Sequence, residues 1–317
     1  MDPVGFLADL EQIPETLRDL SNSLWEGDPW ASVRERSKVL ITGMGSSAYA
    51  ARTASGWLRA AGVTVADEIA SLTPGFPGGN DSAAILVSAT GGSVETLDRR
   101  SRLHADTLTV ALTNTADSEL AAQCDCVVPM LAGREVGGVA CRTYRHTLAL
   151  LLGLGRPLGE MAEQCRRAAE LSNDLLSDRS WLDDVDEVLA DAPATFWVAP
   201  ANRIGSAMQS ALMVREGPRR LAVGCETGDW SHVDVYLTAS TDYRCVFFTG
   251  SQWDAQAAEW LERRGSRVVS VGRDRLGVSG ELHIALDAEP LTAVLVETLI
   301  GELLAQRWWE RHPVVVN

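Results

Sequence analysis

The sequence is short of lysine. Of its 28 basic residues only Lys38 is a lysine and the rest are arginines, so covalent chemistry through a side-chain amine has a single candidate. Basic charge is not in excess either: 43 acidic residues against 28 basic ones give a net charge of −15. Nothing in such a chain could neutralise a row of phosphates, which argues against a nucleic-acid partner. Long apolar runs are missing. The longest, Thr147 to Gly155, ends at Arg156 and is too short to cross a bilayer, so no membrane partner is expected. No basic stretch followed by an apolar one opens the sequence, so a secretory leader is not expected. The six cysteines (Cys124, Cys126, Cys141, Cys165, Cys225 and Cys245) form no CxxC pair, which fits reduced thiols and a cytoplasmic location. His104, His146, His283 and His312 stand at no metal-ligand spacing with one another or with the cysteines, and no metal is expected.

What is present is an ordinary globular balance, 46% apolar and 22% charged over 317 residues, enough for two domains. The first ~35 residues carry Phe6, Leu10, Ile13, Leu17, Leu20 and Leu24 at helical spacing. Short apolar strands then alternate with helices: Val39 to Gly43, a helix from Ser47 to Ala61, Val63 to Ala66, Ala83 to Ser88, a helix from Ser93, Leu108 to Leu112 and Val127 to Leu131. That alternation predicts an α/β fold with parallel sheets covered on both faces. Helical patterns from Cys141 to Ala192 separate this half from a second that repeats it. In the second half, Thr195 to Pro200 reads as a strand, Ile204 to Glu216 as a helix, and Cys245 to Gly250 and Arg267 to Gly272 as strands. A long helix from Leu291 to Arg311 follows. The expected organisation is a helical segment over 1–36 and two αβα units over 37–180 and 181–317. A cleft between such units is a common place for a ligand.

Two strand-to-helix turns could carry chemistry. Gly43-Met-Gly45-Ser-Ser-Ala48, with Asp67 further on, fits the outline of a dinucleotide fingerprint. Any tight turn of this kind needs glycines as well, so no cofactor is inferred. Ser88-Ala-Thr90-Gly91-Gly92-Ser93 is the better phosphate loop, because hydroxyls interleaved with glycines at a helix start supply both side-chain and backbone donors. A bare helix cap would need one hydroxyl, and this loop has three.

In these motifs the chain resembles the sugar isomerase (SIS) family, and within it the isomerase half of glucosamine-6-phosphate synthases. The resemblance rests on Gly45-Ser46-Ser47, on Ser88 to Leu97, on Ala132-Gly133-Arg-Glu135-Val-Gly137, and on Ala207 to Glu216 running to Gly228-Asp-Trp-Ser-His232. It extends from about Val39 to the final helix and implies two tandem αβα sandwich domains with flavodoxin-like parallel sheets. It also implies that Ser47, Ser88, Thr90 and Ser93 hold a sugar phosphate, with Gly45, Ser46, Gly91 and Glu135 in the same substrate site. Glu216 falls on the family's catalytic glutamate, which moves a proton between C1 and C2. His232 falls on its ring-opening histidine, which reaches a neighbouring subunit's site and so implies a homodimer or higher homo-oligomer. A carboxylate and an imidazole suffice for aldose–ketose exchange through an enediol. Arg142 matches a place near which related isomerases carry an arginine that stabilises the enediolate, and it could equally pair with an acid on a helix surface.

The sequence also departs from the synthase. Ala89 and Gly92 replace larger polar residues of the phosphate loop, and Met213 stands where the synthase has a lysine. No lysine follows in the tail Arg311 to Asn317, and no cysteine amidohydrolase domain precedes the first strand, so a complete synthase is not expected. The expected activity is a sugar-phosphate isomerase that uses no cofactor. The alternatives on the same scaffold are an aminosugar-phosphate deaminase, a fructosamine-phosphate deglycase, or a non-catalytic sugar-phosphate-binding protein. The last is disfavoured by the presence of both Glu216 and His232 and by the lack of a helix-turn-helix segment. Ser231, His232 and Asp229 or Asp234 offer hydrolase residue types, but sequence neighbours rarely make a triad.

Overall fold

The computed structural model describes residues 1–312; the last five, which belong to the tail discussed above, lie outside the described residues. The chain divides into two compact units. One comprises Glu15–Arg134 and Arg142–Arg166; the other comprises Met1–Pro14, Glu135–Cys141 and the chain from Arg167 onward.

The N-terminal segment forms α1 (Pro3–Glu11), α2 (Ile13–Glu26) and α3 (Ala31–Arg34). In the first unit α2 and α3 are tied down by side-chain bonds. Ser21 Oγ donates to the Ala162 carbonyl at 2.8 Å and Trp30 Nε1 to that of Leu150 at 2.7 Å. The chain continues through β1 (Lys38–Gly43), α4 (Ser46–Ala60), β2 (Val65–Ile69), β3 (Ser82–Val87), α5 (Val94–Ser101), β4 (Leu108–Thr113), α6 (Glu119–Gln123), β5 (Cys126–Pro129), α7 (Arg142–Gly153) and α8 (Leu158–Ser177). The five strands are all parallel in the order β2-β1-β3-β4-β5. Alternate residues serve opposite faces. Leu40, Ala84, Leu86 and Ala111 join Leu103 and Leu120 in one core, while α4 and α7 pack together beside β1. Burial on both faces of β1, β3 and β4 explains why these three strands read as apolar runs.

The second unit holds α9 (Trp181–Leu189), β6 (Thr195–Ala199), α10 (Ile204–Glu216), β7 (Ala222–Glu226), α11 (Thr227–Trp230), β8 (Arg244–Phe248), α12 (Asp254–Arg264), β9 (Arg267–Gly272), β10 (Leu282–Ala285), α13 (Pro290–Val296) and α14 (Thr298–Arg311). Its sheet order is β10-β9-β8-β6-β7, again all parallel. Numbered from its own first strand this is 2-1-3-4-5, the order of the first sheet, so the repeat seen in the sequence is a repeat of topology. One core gathers Phe196, Val198, Trp230, Tyr243, Phe247 and Leu261.

Three expectations need correction. The strand expected at Val63 to Ala66 runs from Val65 to Ile69. The edge strands β7 and β10 were not expected; each is short and only partly buried. The long C-terminal helix is two helices that meet at Glu297, whose buried carboxylate pairs with Arg203. Trp308 and Trp309 are buried. The Trp308 indole donates to Asp186 at 2.7 Å, Arg220 stacks on its ring and Trp309 packs on Phe6. Among the described residues no helix is long and apolar enough to cross a membrane, and no cluster of His, Cys, Asp and Glu could hold a metal ion.

Candidate functional site

In an open α/β sheet of order 2-1-3-4-5, ligands gather at the carboxyl ends of the strands where the order reverses, between the first and third strands. Gly43 pairs with Val87 in register, so the turn after β1 and the loop after β3 leave the first sheet side by side at that point. Gly45 takes φ +51° in the first turn. Ser46 and Ser47 open α4 behind it, with the Ser47 N–H donating to the Met44 carbonyl at 3.1 Å.

The Ser88–Ser93 loop is held from below. The Ser88 N–H donates to Leu112 O at 3.1 Å, Gly91 N–H to Ser88 O at 3.0 Å, and the Ala89 carbonyl accepts from Asn114 N–H at 3.0 Å. Gly91 sits at φ +65° with Ser118 so close that a Cβ would lie 2.0 Å from its hydroxyl oxygen; no other residue fits there. Ser93 caps α5, accepting from the Thr96 N–H, and donates to Glu95 at 3.0 Å. Thr90 Oγ1 accepts from the Gly92 N–H at 3.3 Å. The N–H groups of Ala89, Thr90 and Ser93 and the hydroxyls of Ser47 and Ser88 have no hydrogen-bond partner among the described residues. Ser88 is buried while Thr90 is exposed. A rim of unengaged amide and hydroxyl donors at a strand end and helix start is a place for an anion.

Arg142, also in the first unit, is the first residue of α7 and only 1% exposed. It is therefore not a helix-surface residue. Its guanidinium donates to the Arg134 carbonyl at 2.6 Å.

Glu216, Glu135 and His232 belong to the second unit. Glu216 ends α10, where Gly217 turns the chain and donates its N–H to Met213 O at 3.0 Å. Its carboxylate has no hydrogen bond or ion pair with a described residue. Burial pushes its pKa above the ordinary carboxylate range, against the opposing pull of Arg219 and Arg215. This is how a carboxylate is tuned toward proton transfer near neutral pH. Met213, in place of a lysine, is fully buried. His232 is exposed just beyond α11; its N–H donates to the Asp229 carbonyl at 2.8 Å. The imidazole has no hydrogen bond to Ser231, Asp229 or Asp234, so the hydrolase reading finds no triad. Glu135 starts a loop that closes on itself, with the Cys141 N–H donating to Glu135 Oε1 at 2.7 Å.

Two residues of this region carried no signal in the sequence. Asp9 on α1 accepts from the Val136 and Gly137 N–H groups, and Gln209 on α10 donates to the Ala140 carbonyl at 2.8 Å. A lone polar residue on an amphipathic helix looks alike whether it meets solvent or a distant loop.

Known proteins share this architecture. The C-terminal domain of glucosamine-fructose-6-phosphate aminotransferase from Francisella tularensis superposes with a TM-score of 0.82 at 17% identity, over 96% of each chain. The chain has the same α/β fold. A solved glucosamine-6-phosphate deaminase from Thermotoga maritima has it too, with a TM-score of 0.76 at 17% identity, over 98% of this chain and 95% of that one. In sequence, the chain is 22% identical over 262 residues to a glutamine–fructose-6-phosphate aminotransferase (isomerizing) from Sulfurisphaera tokodaii. The match covers 81% of this chain and 44% of that protein, so it spans less than half the length of that relative. No family model matches the chain.

Proposed function

We propose that the chain is a sugar-phosphate aldose–ketose isomerase, acting through an enediol on a hexose or aminohexose 6-phosphate. In this reading it is built of two tandem SIS domains, 37–180 and 181–317, behind the helical segment 1–36. The observation that carries the proposal is Glu216: a half-buried carboxylate at a helix end, unpaired among the described residues and with its pKa raised by burial. A base that takes a proton alpha to a carbonyl and returns it to the next carbon needs that state. Ser47, Ser88, Thr90 and Ser93, with the unengaged amides of their loop, bind the phosphate; Gly45, Ser46 and Gly91 shape the turns that carry them. Glu135 contacts the sugar, the buried Arg142 steadies the enediolate, and His232 opens the ring. No cofactor takes part, and the enzyme works in the cytoplasm.

His232 acts in the site of a second copy of the chain in a homodimer or higher homo-oligomer. What supports this is its surroundings: Val233 and Tyr236 beside His232 are exposed apolar residues of the kind that mark an interaction face, and in the same unit Leu221, just before the edge strand β7, and Val223 on it are exposed as well. A second reading, loss of an amine by a deaminase or deglycase, uses the same base and is favoured by the likeness to the Thermotoga maritima deaminase.

The test is a panel of hexose and aminohexose 6-phosphates incubated with the chain in D2O and followed by NMR. Aldose–ketose interconversion with deuterium entering at C1 or C2 is the expected result. Ammonia release moves the reading to the deaminase. Binding of sugar phosphates with no exchange at either carbon leaves a non-catalytic binding protein.

A further inference from the structure

Asp9 lies on α1, 127 residues from the loop it meets, and its side chain is fully buried. A carboxylate leaves water only where other donors replace the water. Here they are the backbone N–H groups of Val136, at 3.0 Å, and Gly137, at 2.7 Å. The helix grips the same loop twice more. The Asp2 N–H donates to Gly137 O at 3.1 Å, and a Cβ on Gly137 would come within 2.4 Å of the Phe6 nitrogen, so only glycine permits the approach. From α10, Gln209 holds the loop at Ala140, seven residues before Glu216 on the same helix. The loop has no ladder partner of its own, and consecutive amides need acceptors somewhere; a buried carboxylate supplies them as strong charge-assisted bonds.

We propose that Asp9 is a positioning residue for the reaction: it fixes the Glu135–Cys141 loop so that Glu135 meets the sugar in one place, which makes α1 part of the catalytic apparatus. The inference rests on the reading of Glu135 as a substrate contact. Asp9 touches no reacting atom and acts through the loop. Displacing a positioned group by about 1 Å costs up to ~10²-fold in rate, and the loss falls on turnover because the phosphate is held by a separate loop.

The test uses the full chain with a sugar phosphate that the wild type converts. Asp9→Asn should lower kcat by ~10-fold or more, with the inhibition constant of inorganic phosphate within ~2-fold of wild type, since only an oriented interaction is lost. Amide hydrogen exchange should quicken at Val136 and Gly137. Asp9→Glu, which keeps the charge, should recover part of the rate. In a double-mutant cycle, adding Asp9→Asn to Glu135→Gln should cost little more than Glu135→Gln alone. Should Asp9→Asn fail to fold, Val136→Pro deletes one donor from the loop side, leaves the carboxylate bonded to Gly137, and should give the same split between kcat and phosphate affinity. Wild-type kcat despite faster exchange at the two amides, fully additive losses in the cycle, or a fall in kcat matched by the loss of folded protein would each overturn the proposal alone. A wild-type chain that converts no sugar phosphate would overturn the isomerase reading and this proposal with it.

Discussion

The two sheets share one strand order, and the loops after their third strands part company. In the first unit the loop after β3 leaves the amides of Ala89, Thr90 and Ser93 and the Ser88 hydroxyl without partners among the described residues. In the second unit the loop after β8 supplies its own anion. Asp254 Oδ2 accepts from the Gly250 N–H at 2.6 Å and from the Ser251 N–H at 3.1 Å, and Thr249 Oγ1 donates to the Asp274 carbonyl at 2.8 Å. Repeating a topology therefore repeats the place where a site can form without repeating the site. A carboxylate four residues beyond the glycine is enough to satisfy a nest of amides that would otherwise wait for a ligand. The second unit's own candidate for chemistry is Glu216, at the end of the helix after its first strand.

The largest effect is expected there. Glu216→Gln keeps the shape and removes the base, so isomerisation and solvent exchange at C1 and C2 should fall by ~10³-fold with sugar-phosphate binding retained. Because the carboxylate is the active form, the wild-type rate should fall as pH drops through a pKa above the ordinary carboxylate range. The stability effect has the opposite sense. A carboxyl whose pKa is raised on folding favours the native state while protonated, so the wild type loses stability relative to Glu216→Gln as pH rises from the unfolded value through the folded one. Thermal melts of both proteins across that range check the sign. A Glu216→Gln enzyme with wild-type exchange rates would remove the base from Glu216.

Next in size is the comparison of the two loops themselves. Hydrogen bonds to charged groups contribute roughly 1.5–3 kcal/mol each, so Ser88→Ala with Thr90→Ala should raise KM by ~10²-fold or more while kcat changes far less. The matching change in the second unit, Thr249→Ala with Ser251→Ala, should leave KM within about 2-fold, because it removes no ligand contact. Equal increases from both double variants would show that the difference between the loops has no bearing on phosphate.

Much of this was legible in the sequence, for a physical reason. β1, β3, β4, β6, β8 and β9 are buried on both faces and so read as continuous apolar runs. β7 and β10 lie at a sheet edge, carry Gly224 and His283, and are half exposed, so they lack any run to read. The break at Glu297 was invisible because the glutamate faces inward, in step with the apolar residues around it; its partner Arg203 lies 94 positions away. The serine-rich loop announced itself through turn and cap chemistry, which is local. Asp9, Gln209 and the inward carboxylate of Asp254 are long-range or context-dependent, and only packing reveals them.

Asp254→Asn should do less than either loop variant. The amide oxygen still accepts from Gly250 and Ser251, and the ionised carboxylate, whose pKa burial raises, is no longer held out of water. Stability should change by about 1 kcal/mol or less, with Asn gaining on Asp as pH rises through the raised pKa. Turnover should stay at the wild-type value, and calorimetry with inorganic phosphate should find one site per chain in both proteins. A second phosphate bound by the wild type would show that Asp254 does not fill the nest.

The smallest effect belongs to Lys38. An imine between protein and sugar needs an amine, and this is the only lysine in the sequence. It stands at the first residue of β1, paired with Asp81 at 2.9 Å on the exposed side of the first unit. The anion loop lies at the other end of the strands, and six residues at ~3.3 Å each put roughly 20 Å between them, far beyond the reach of the side chain. Met213, buried on the helix that ends in Glu216, offers no amine in its stead. Ring opening and proton transfer should therefore run on the carboxylate and the imidazole alone. Lys38→Arg keeps the ion pair and should retain nearly full activity. Borohydride added during turnover of a ketose phosphate should leave the chain's mass unchanged. A reduced adduct mapped to Lys38 would mean that the base of the sheet, and not its carboxyl edge, is where the sugar sits.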